Sequence, residues 1–336
     1  MKIAINGFGR IGRAVLKIIL EKKLDIEVVA INDLTDAKVL SHLFNHDSVY
    51  GKNAKKALPT SDGLIVSDKK IPIFSLKDPS QPPWKNMKVD IVLECTGLFR
   101  TREAASAHLR SGAKKVIISA PAKGKGVKTV VLGVNENKLK KTDKIISNAS
   151  CTTNCLAPVT NCVKENFGIK SAIMTTIHSY TADQRLIDAP HKDLRRARAA
   201  ALNIIPTTTG AATATTITIP SLKGKFDGMA IRVPTPIGSL CDIVFLTRKK
   251  ITEKEVIYCF KRAARSAKLK NILEASEEPL VSTDIIGNPV SAVVDLSLIK
   301  VIEGNLLKVV AWYDNEWGYG NRLVDLVGYI NKKRLM

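Results

Sequence analysis

Cys151 stands in the segment Ser150-Cys151-Thr152-Thr153-Asn154-Cys155, directly after the apolar run Lys144-Ile145-Ile146-Ser147-Asn148-Ala149. The run reads as a strand, and the Ser/Thr/Asn cluster after it as the start of a helix. A thiol at that junction meets backbone N–H groups that lack intrahelical partners and the positive end of a helix dipole. That setting is expected to lower its pKa and favour thiolate at neutral pH. The same N–H groups can bind a developing oxyanion. Nucleophilic chemistry of this kind needs a base near the sulfur. The histidines are His42, His46, His108, His178 and His191. His178 ends the apolar strand Ile173-Met174-Thr175-Thr176-Ile177 and enters the polar turn Ser179-Tyr180-Thr181. A strand's carboxyl end suits a site residue; a histidine packed for structure is the competing reading.

A second signature lies at the N-terminus. Gly7-Phe8-Gly9-Arg10-Ile11-Gly12 is G-x-G-x-x-G, and it follows a strand and opens a helix, the context in which that pattern binds a dinucleotide. Gly7 permits the tight turn, Gly9 lets the backbone approach a pyrophosphate, and Gly12 allows close helix–strand packing. The N–H groups of Arg10 and Ile11 then face phosphate. Asp33 ends the second strand, where a carboxylate accepts from both ribose hydroxyls and repels a 2′-phosphate, so NAD is expected over NADP. A dinucleotide fold followed by a reactive cysteine suggests aldehyde oxidation through a thiohemiacetal and a thioester.

The elements that must position these groups follow from periodicity. Lys2–Asn6, Glu27–Asp33, Val89–Thr96, Lys115–Ala120 and Thr129–Val134 read as strands, and Arg10–Lys23 and Glu103–Gly112 as helices. This βαβ alternation predicts a doubly wound, parallel Rossmann sheet over residues 1–150. From 151 to 318 the strand-like runs are longer: Met174–His178, Met229–Val233, Ile243–Arg248, Val290–Leu296 and Leu306–Trp312. They predict an α+β catalytic domain with a largely antiparallel sheet. Thr252-Glu253-Lys254-Glu255 has the form of a capping box. Asp183–Ile205 is long, basic and rich in turn formers, as expected of an ordered functional loop. Residues 319–336 hold a last helix, expected to pack back on the first domain.

The chain has 336 residues, enough for two domains, with 45% hydrophobic and 25% charged residues, ordinary for a globular protein. No run approaches a membrane span. The N-terminus runs into a strand without a signal-peptide layout, so a cytoplasmic protein is expected. The six cysteines show neither zinc spacing nor a disulfide framework, and no metal is expected. The outlier is a net charge of +21. Because the lysines are scattered and aromatics make up 5%, nucleic-acid or membrane-surface binding is not indicated beyond that charge. Solubility and steering of a phosphorylated substrate are the favoured reading.

The motifs INGFGRIGR, SNASCTTNCLAP, HSYT, HKDLRRARAAA, NIIPTTTGAA, RVPTP and WYDNEWGY run in order over nearly the whole chain. Together they resemble glyceraldehyde-3-phosphate dehydrogenases of the phosphorylating, glycolytic type. The resemblance implies oxidation of glyceraldehyde 3-phosphate with NAD and inorganic phosphate to 1,3-bisphosphoglycerate, in a homotetramer. It implies Cys151 as nucleophile and His178 as its base. It places Thr181 and Arg232 at the substrate's phosphate. It places Ser150, Thr152, Thr209 and Gly210 at the attacking phosphate, with Arg196 nearby and flanked by Arg195 and Arg198. Lys77 and Ser119 match positions near the adenine and nicotinamide sides, and Asn315 matches the amide that fixes the nicotinamide. Two features depart from the pattern: the excess of positive charge, and Ala182 where an Asn or Gly is more usual. An erythrose-4-phosphate dehydrogenase, sharing the Cys and His but ending in hydrolysis, is the sibling alternative. A secondary surface or nucleic-acid-binding role from the basic charge is the other.

Overall fold

The computed structural model describes residues 1–22 and 24–336. The chain divides into two compact units. The first holds residues 1–130, 137–149 and 320–336, and the second holds 131–136 and 150–319.

In the first unit the chain runs β1 (Lys2–Asn6), α1 (Arg10–Lys22), β2 (Glu27–Asn32), α2 (Ala37–Asn45), β3 (His46–Asp47) and β4 (Gly51–Lys52). It continues through β5 (Ala57–Pro59), β6 (Gly63–Val66), β7 (Lys69–Phe74), β8 (Ile91–Glu94), α3 (Arg102–Arg110), β9 (Lys115–Ile118), β10 (Lys128–Thr129) and β11 (Ile145–Ser147). Nine strands form one sheet in the order β10-β11-β9-β8-β1-β2-β7-β6-β5. It is parallel from β10 to β7. Every residue of β8 is buried, as expected of a strand covered on both faces. The predicted end of α1 at Lys23 lies outside the described residues. The sequence reading missed α2 and the antiparallel edge formed by β5, β6 and β7. It also expected a strand over Thr129–Val134, but pairing stops at Thr129. There the Asn135 side chain accepts from the Val131 N–H at 2.8 Å, and Gly133 takes φ +81°. Both close a turn that ends the extended run.

Under the sheet's carboxyl edge, Glu94 is fully buried. Its carboxylate accepts from Asn6 Nδ2 at 2.5 Å, the Thr96 N–H at 2.8 Å and the Thr96 hydroxyl. It also meets His108 Nε2 at 3.0 Å. Trp84 Nε1 donates to His108 Nδ1 at 3.2 Å, which leaves the histidine proton on Nε2, facing Glu94. One carboxylate thus ties the end of β1, the turn after β8 and α3 together. Glu94→Ala would strand several buried donors, and the expected cost is about 3 kcal/mol or more. It should appear as a lowered guanidinium midpoint, and an unchanged midpoint would refute this account.

The second unit holds α4 (Cys151–Phe167), β12 (Ile169–Ser179), β13 (Ile205–Thr208), α5 (Ala211–Thr218), β14 (Phe226–Val233) and β15 (Ser239–Thr247). Then follow α6 (Glu253–Arg265), β16 (Leu273–Ser276), β17 (Ala292–Ile302) and β18 (Leu306–Tyr313). Their order is β13-β14-β12-β15-β18-β17-β16. All pairs are antiparallel except β12 with β14 and β16 with β17. The capping box at Thr252 and Glu255 forms at the start of α6. α4 is buried along most of its length. The helix α7 (Trp317–Lys332) runs from the second unit into the first. At Gly320 an added Cβ would meet Ile18 Cδ1 at 2.9 Å and Ala14 Cβ at 3.4 Å, so the missing side chain lets α7 lie close on α1. Among the described residues, no helix is long and apolar enough to cross a membrane.

Candidate active site and cofactor-binding loop

Ala149 precedes α4 with φ +54° and no exposure. A non-glycine residue held in the left-handed region is strained by roughly 1 kcal/mol or more. The strain sits at the turn that brings the chain from β11 into the first turn of α4. Ser150 is the N-cap: its Oγ accepts from the Thr153 N–H at 3.0 Å and lies 2.7 Å from the Thr153 hydroxyl. Cys151 therefore begins the helix at the positive end of its dipole, half-buried.

Cys151 Sγ lies 3.5 Å from His178 Nε2. His178 Nδ1 lies 2.7 Å from the Ser179 carbonyl, which only accepts, and 3.0 Å from Arg232 Nη1, which only donates. The carbonyl is the shorter contact and an acceptor open to both groups, so the proton is assigned to Nδ1, and Nε2 presents its lone pair to the thiol. Arg232 reaches the same carbonyl at 3.0 Å and the Thr181 hydroxyl at 3.4 Å. β12 and β14 put these groups side by side, with His178 paired to Arg232 in register. Arg232 Nε is buried and has no hydrogen-bond partner. A buried guanidinium N–H without an acceptor marks a place for an anion.

Burial pushes the Cys151 thiol up, opposed by the Arg232 charge and by hydrogen bonds to Thr152. Burial and the Arg232 charge push His178 down to about 3. Desolvation thus outweighs the Arg232 charge and the Thr152 hydrogen bonds that favour the thiolate. The resting pair is a neutral thiol beside a neutral imidazole. Moving the proton from Sγ to Nε2 leaves the net charge unchanged and creates opposite charges in contact, so the two groups titrate as a unit.

The other sequence candidates have the following partners. Thr152 Oγ1 meets Tyr313 Oη at 2.9 Å, and Tyr313 meets Thr176 Oγ1 at 2.9 Å, so both the Ser150 and Thr152 hydroxyls are engaged within the protein. Arg196 donates to the Thr207 hydroxyl at 3.0 Å and the Thr208 carbonyl at 3.1 Å, and pairs with Asp183. Its charge reaches both His178 and Arg232. Arg195 and Arg198 turn instead to Pro206 and Asp188. Gly210 caps α5 with no side-chain hydrogen bond, and its Cα faces open space. Thr209 Oγ1 accepts from the Ala211 N–H at 3.2 Å. Asn315 is buried, its Oδ1 accepting from Ser239 Oγ at 2.9 Å, and Ser239 Oγ accepts from the Ser179 N–H at 3.1 Å. Sequence reasoning missed Tyr313, Thr176 and Ser239. Strand alternation could have placed Tyr313 and Thr176 inward, but nothing in their types singled them out.

In the first unit, Gly7 takes φ +91°, and a Cβ on Gly12 would meet the Gly7 carbonyl at 2.3 Å. Both glycines are required by geometry. Gly7, Gly9, Asp33, Lys77 and Thr96 line a cavity of about 590 Å³. A Cβ on Gly9 would meet nothing, so the backbone there is open to close approach by a ligand. Arg10 and Ile11 open α1, so the positive end of its dipole lies at the glycine loop. The Arg10 side chain turns away to Asp47 at 2.8 Å and over the Tyr50 ring. Asp33 accepts from the Phe8 N–H at 2.7 Å and the Thr35 N–H at 2.9 Å, which fixes the carboxylate at the cavity wall with lone pairs to spare. Ser119 stands just past β9, its N–H on the Glu94 carbonyl at 2.9 Å. These residues fit a dinucleotide.

A glycine-loop dinucleotide fold in one unit and a cysteine–histidine pair in the other define an NAD-dependent oxidoreductase. Residues 1–102 match the glyceraldehyde 3-phosphate dehydrogenase NAD binding domain, and residues 150–315 the C-terminal domain of the same family. Over 336 residues the chain is 54% identical to the glyceraldehyde-3-phosphate dehydrogenase of Geobacillus stearothermophilus, covering 100% of this chain and 99% of that one. Over 332 residues it is 56% identical to that of Thermotoga maritima, covering 98% and 99%. Glyceraldehyde-3-phosphate dehydrogenase 1 of Bacillus subtilis is 52% identical over 336 residues, covering 100% and 99%. The chain belongs to the glyceraldehyde-3-phosphate dehydrogenase family.

Proposed function

We propose that this chain oxidises glyceraldehyde 3-phosphate with NAD and inorganic phosphate to 1,3-bisphosphoglycerate. The Cys151–His178 contact at 3.5 Å, with Arg232 Nε left for an anion, carries this reading. His178 Nε2 takes the Cys151 proton as sulfur adds to the aldehyde carbon. The oxygen becomes an oxyanion, met by the Cys151 N–H at the start of α4 and by the newly formed imidazolium; each such donor is worth about 3 kcal/mol in the transition state. NAD, when bound, supplies the hydride acceptor that turns the thiohemiacetal into a thioester. The imidazolium first gives its proton to the oxyanion, which makes the thiohemiacetal hydroxyl and a neutral His178, and His178 takes that proton back as the hydride leaves. Phosphate then attacks the thioester carbon and the Cys151 thiolate leaves. Arg232 with Thr181 holds the substrate's phosphate. The N-terminus of α5, at Thr209 and Gly210, takes the attacking phosphate, with the N–H groups beside Ser150 and Thr152 and the Arg196 charge supporting it. Lys77, Ser119 and Asn315 hold the cofactor, with Ser239 fixing the Asn315 amide.

The working unit is proposed to be a cytoplasmic homotetramer. Within the loop from 183 to 205, Leu186, Ile187, Leu194, Leu202 and Ile204 are each at least 70% exposed. Such a run of apolar side chains suits burial against further copies. NADH formation from glyceraldehyde 3-phosphate and NAD, with and without inorganic phosphate, tests the activity. Steady turnover is expected only with phosphate. Turnover without it, or faster turnover of erythrose 4-phosphate, would reassign the chain to the hydrolytic sibling.

The glycine-loop cavity carries its own prediction. Asp33→Gly removes the carboxylate that reads the ribose, so the preference of kcat/KM for NAD over NADP should fall by about tenfold or more, equivalent to about 1.4 kcal/mol. An unchanged ratio would mean that Asp33 only holds the Phe8 and Thr35 N–H groups.

A further inference from the structure

Cys162 on α4 and Cys259 on α6 bring their sulfurs to 3.4 Å, although they lie 97 residues apart. Both are free thiols. They line a cleft of about 290 Å³ walled by Asn161, Glu165, Asn166, Arg262 and Lys268, with Gly133 at its edge. Each sulfur residue is about 5% exposed or less, so small molecules that enter the cleft can touch them while bulk contact is limited. Arg262 donates to the Asn166 Oδ1 at 2.9 Å, and Asn166 Nδ2 lies 4.0 Å from Cys162 Sγ. A cation and an amide therefore flank the pair. The S–H of Cys162 and the Arg262 charge hold Cys259 below the ordinary thiol range, while the shared proton pushes Cys162 up. The two sulfurs titrate as a unit, so loss of one proton makes loss of the other harder. Cys155 and Cys241 are also neighbours, but both have no exposure, so they lack such an entry.

We propose that Cys162 and Cys259 form a reversible dithiol site that reacts with small hydroperoxides and closes to a disulfide joining α4 to α6. The Cys259 thiolate attacks the distal oxygen of the peroxide. The O–O bond breaks, hydroxide leaves, and Cys259 becomes a sulfenic acid. Cys162 then attacks that sulfur; its proton and the sulfenic hydroxyl depart as water, and the S–S bond forms. The peroxide is reduced and two thiols are oxidised. A dithiol reductant reverses the reaction by exchange. Nothing in the dehydrogenase cycle uses either residue, so the proposal stands apart from the reading of Cys151.

The test treats the full-length protein with hydrogen peroxide, alkylates the remaining thiols and maps the peptides. The expected result is a Cys162–Cys259 cross-linked pair, lighter by about 2 Da than the two thiols, that dithiothreitol removes. In Cys162→Ser, Cys259 should be trapped as a sulfenic acid by dimedone. In Cys259→Ser, Cys162 should stay unlabelled. Both thiols recovered free under conditions that oxidise Cys151, or separate sulfinic acids on the two peptides, would overturn the proposal. Labelling of Cys162 in Cys259→Ser would overturn the assignment of the attacking thiol. The peptide map of the unmutated protein decides the main point whether or not either variant folds.

Discussion

Cys151→Ser loses dehydrogenase turnover by a factor on the order of 10⁴ or more, and NAD binds to the variant as it does to the parent chain. The size of the loss follows from the nucleophile. A serine hydroxyl is a far weaker acid than a thiol, and its alkoxide is a poor leaving group in the phosphorolysis step. Removing one member of a coupled nucleophile–base set costs nearly as much as removing all of it. The retained binding follows from the chain's organisation. Gly7, Gly9, Gly12 and Asp33 belong to the first compact unit, with their own cavity and hydrogen bonds, and none of these involves Cys151. The substitution is nearly isosteric and leaves the Ser150–Thr153 cap intact. Steady-state assays with a fluorescence titration of NAD check both halves. Turnover within tenfold of the parent would end the covalent mechanism. Lost turnover together with lost NAD binding would show instead that the variant is misfolded.

What the sequence disclosed, and what it did not, divides along physical lines. Local rules were legible. The glycine loop turns at Gly7, which takes φ +91°, and packs closely because Gly12 brings no Cβ against the Gly7 carbonyl. The N-cap at Ser150 and the capping box at Thr252 follow from side-chain chemistry within four residues. The long strands of the second unit were readable because apolar alternation outlasts chance. Edge strands were not. β5 and β6 are short, and Pro59, Gly63, Lys69, Lys70 and Pro72 break the apolar pattern across β5, β6 and β7. Only pairing with each other and with β2 makes them strands. Polar networks were equally hidden. That Tyr313 joins Thr152 to Thr176, or that Ser239 links Ser179 to Asn315, depends on the register of β12, β15 and β18, which no local window holds. The setting of Cys151 was half legible for the same reason. The helix N-terminus is visible in the sequence, but the burial that pushes the thiol up is a tertiary quantity.

That burial makes the proton, not the sulfur, the point where His178 matters. In the parent chain the imidazole is neutral well below pH 5, since burial and Arg232 hold its pKa near 3, and the thiol is protonated through neutral pH. Proton transfer from Cys151 to His178 changes no net charge, so acylation should be nearly independent of pH across the neutral range. His178→Asn removes the acceptor while an amide can still reach the Ser179 carbonyl. The rate of NADH formation in the first turnover should fall by about 10²- to 10⁴-fold. Its pH profile should also change shape. Without an internal base the thiolate fraction is set by bulk pH, and because the thiol is raised, that fraction climbs about tenfold for each pH unit up to its pKa. The variant's rate should therefore rise steeply over a range in which the parent's is flat. Single-turnover kinetics from pH 6 to 9 read both effects. A variant that is slow but equally flat would show that another group, with Tyr313 the nearest candidate through Thr152, carries the proton, and that His178 only packs against the Tyr313 ring.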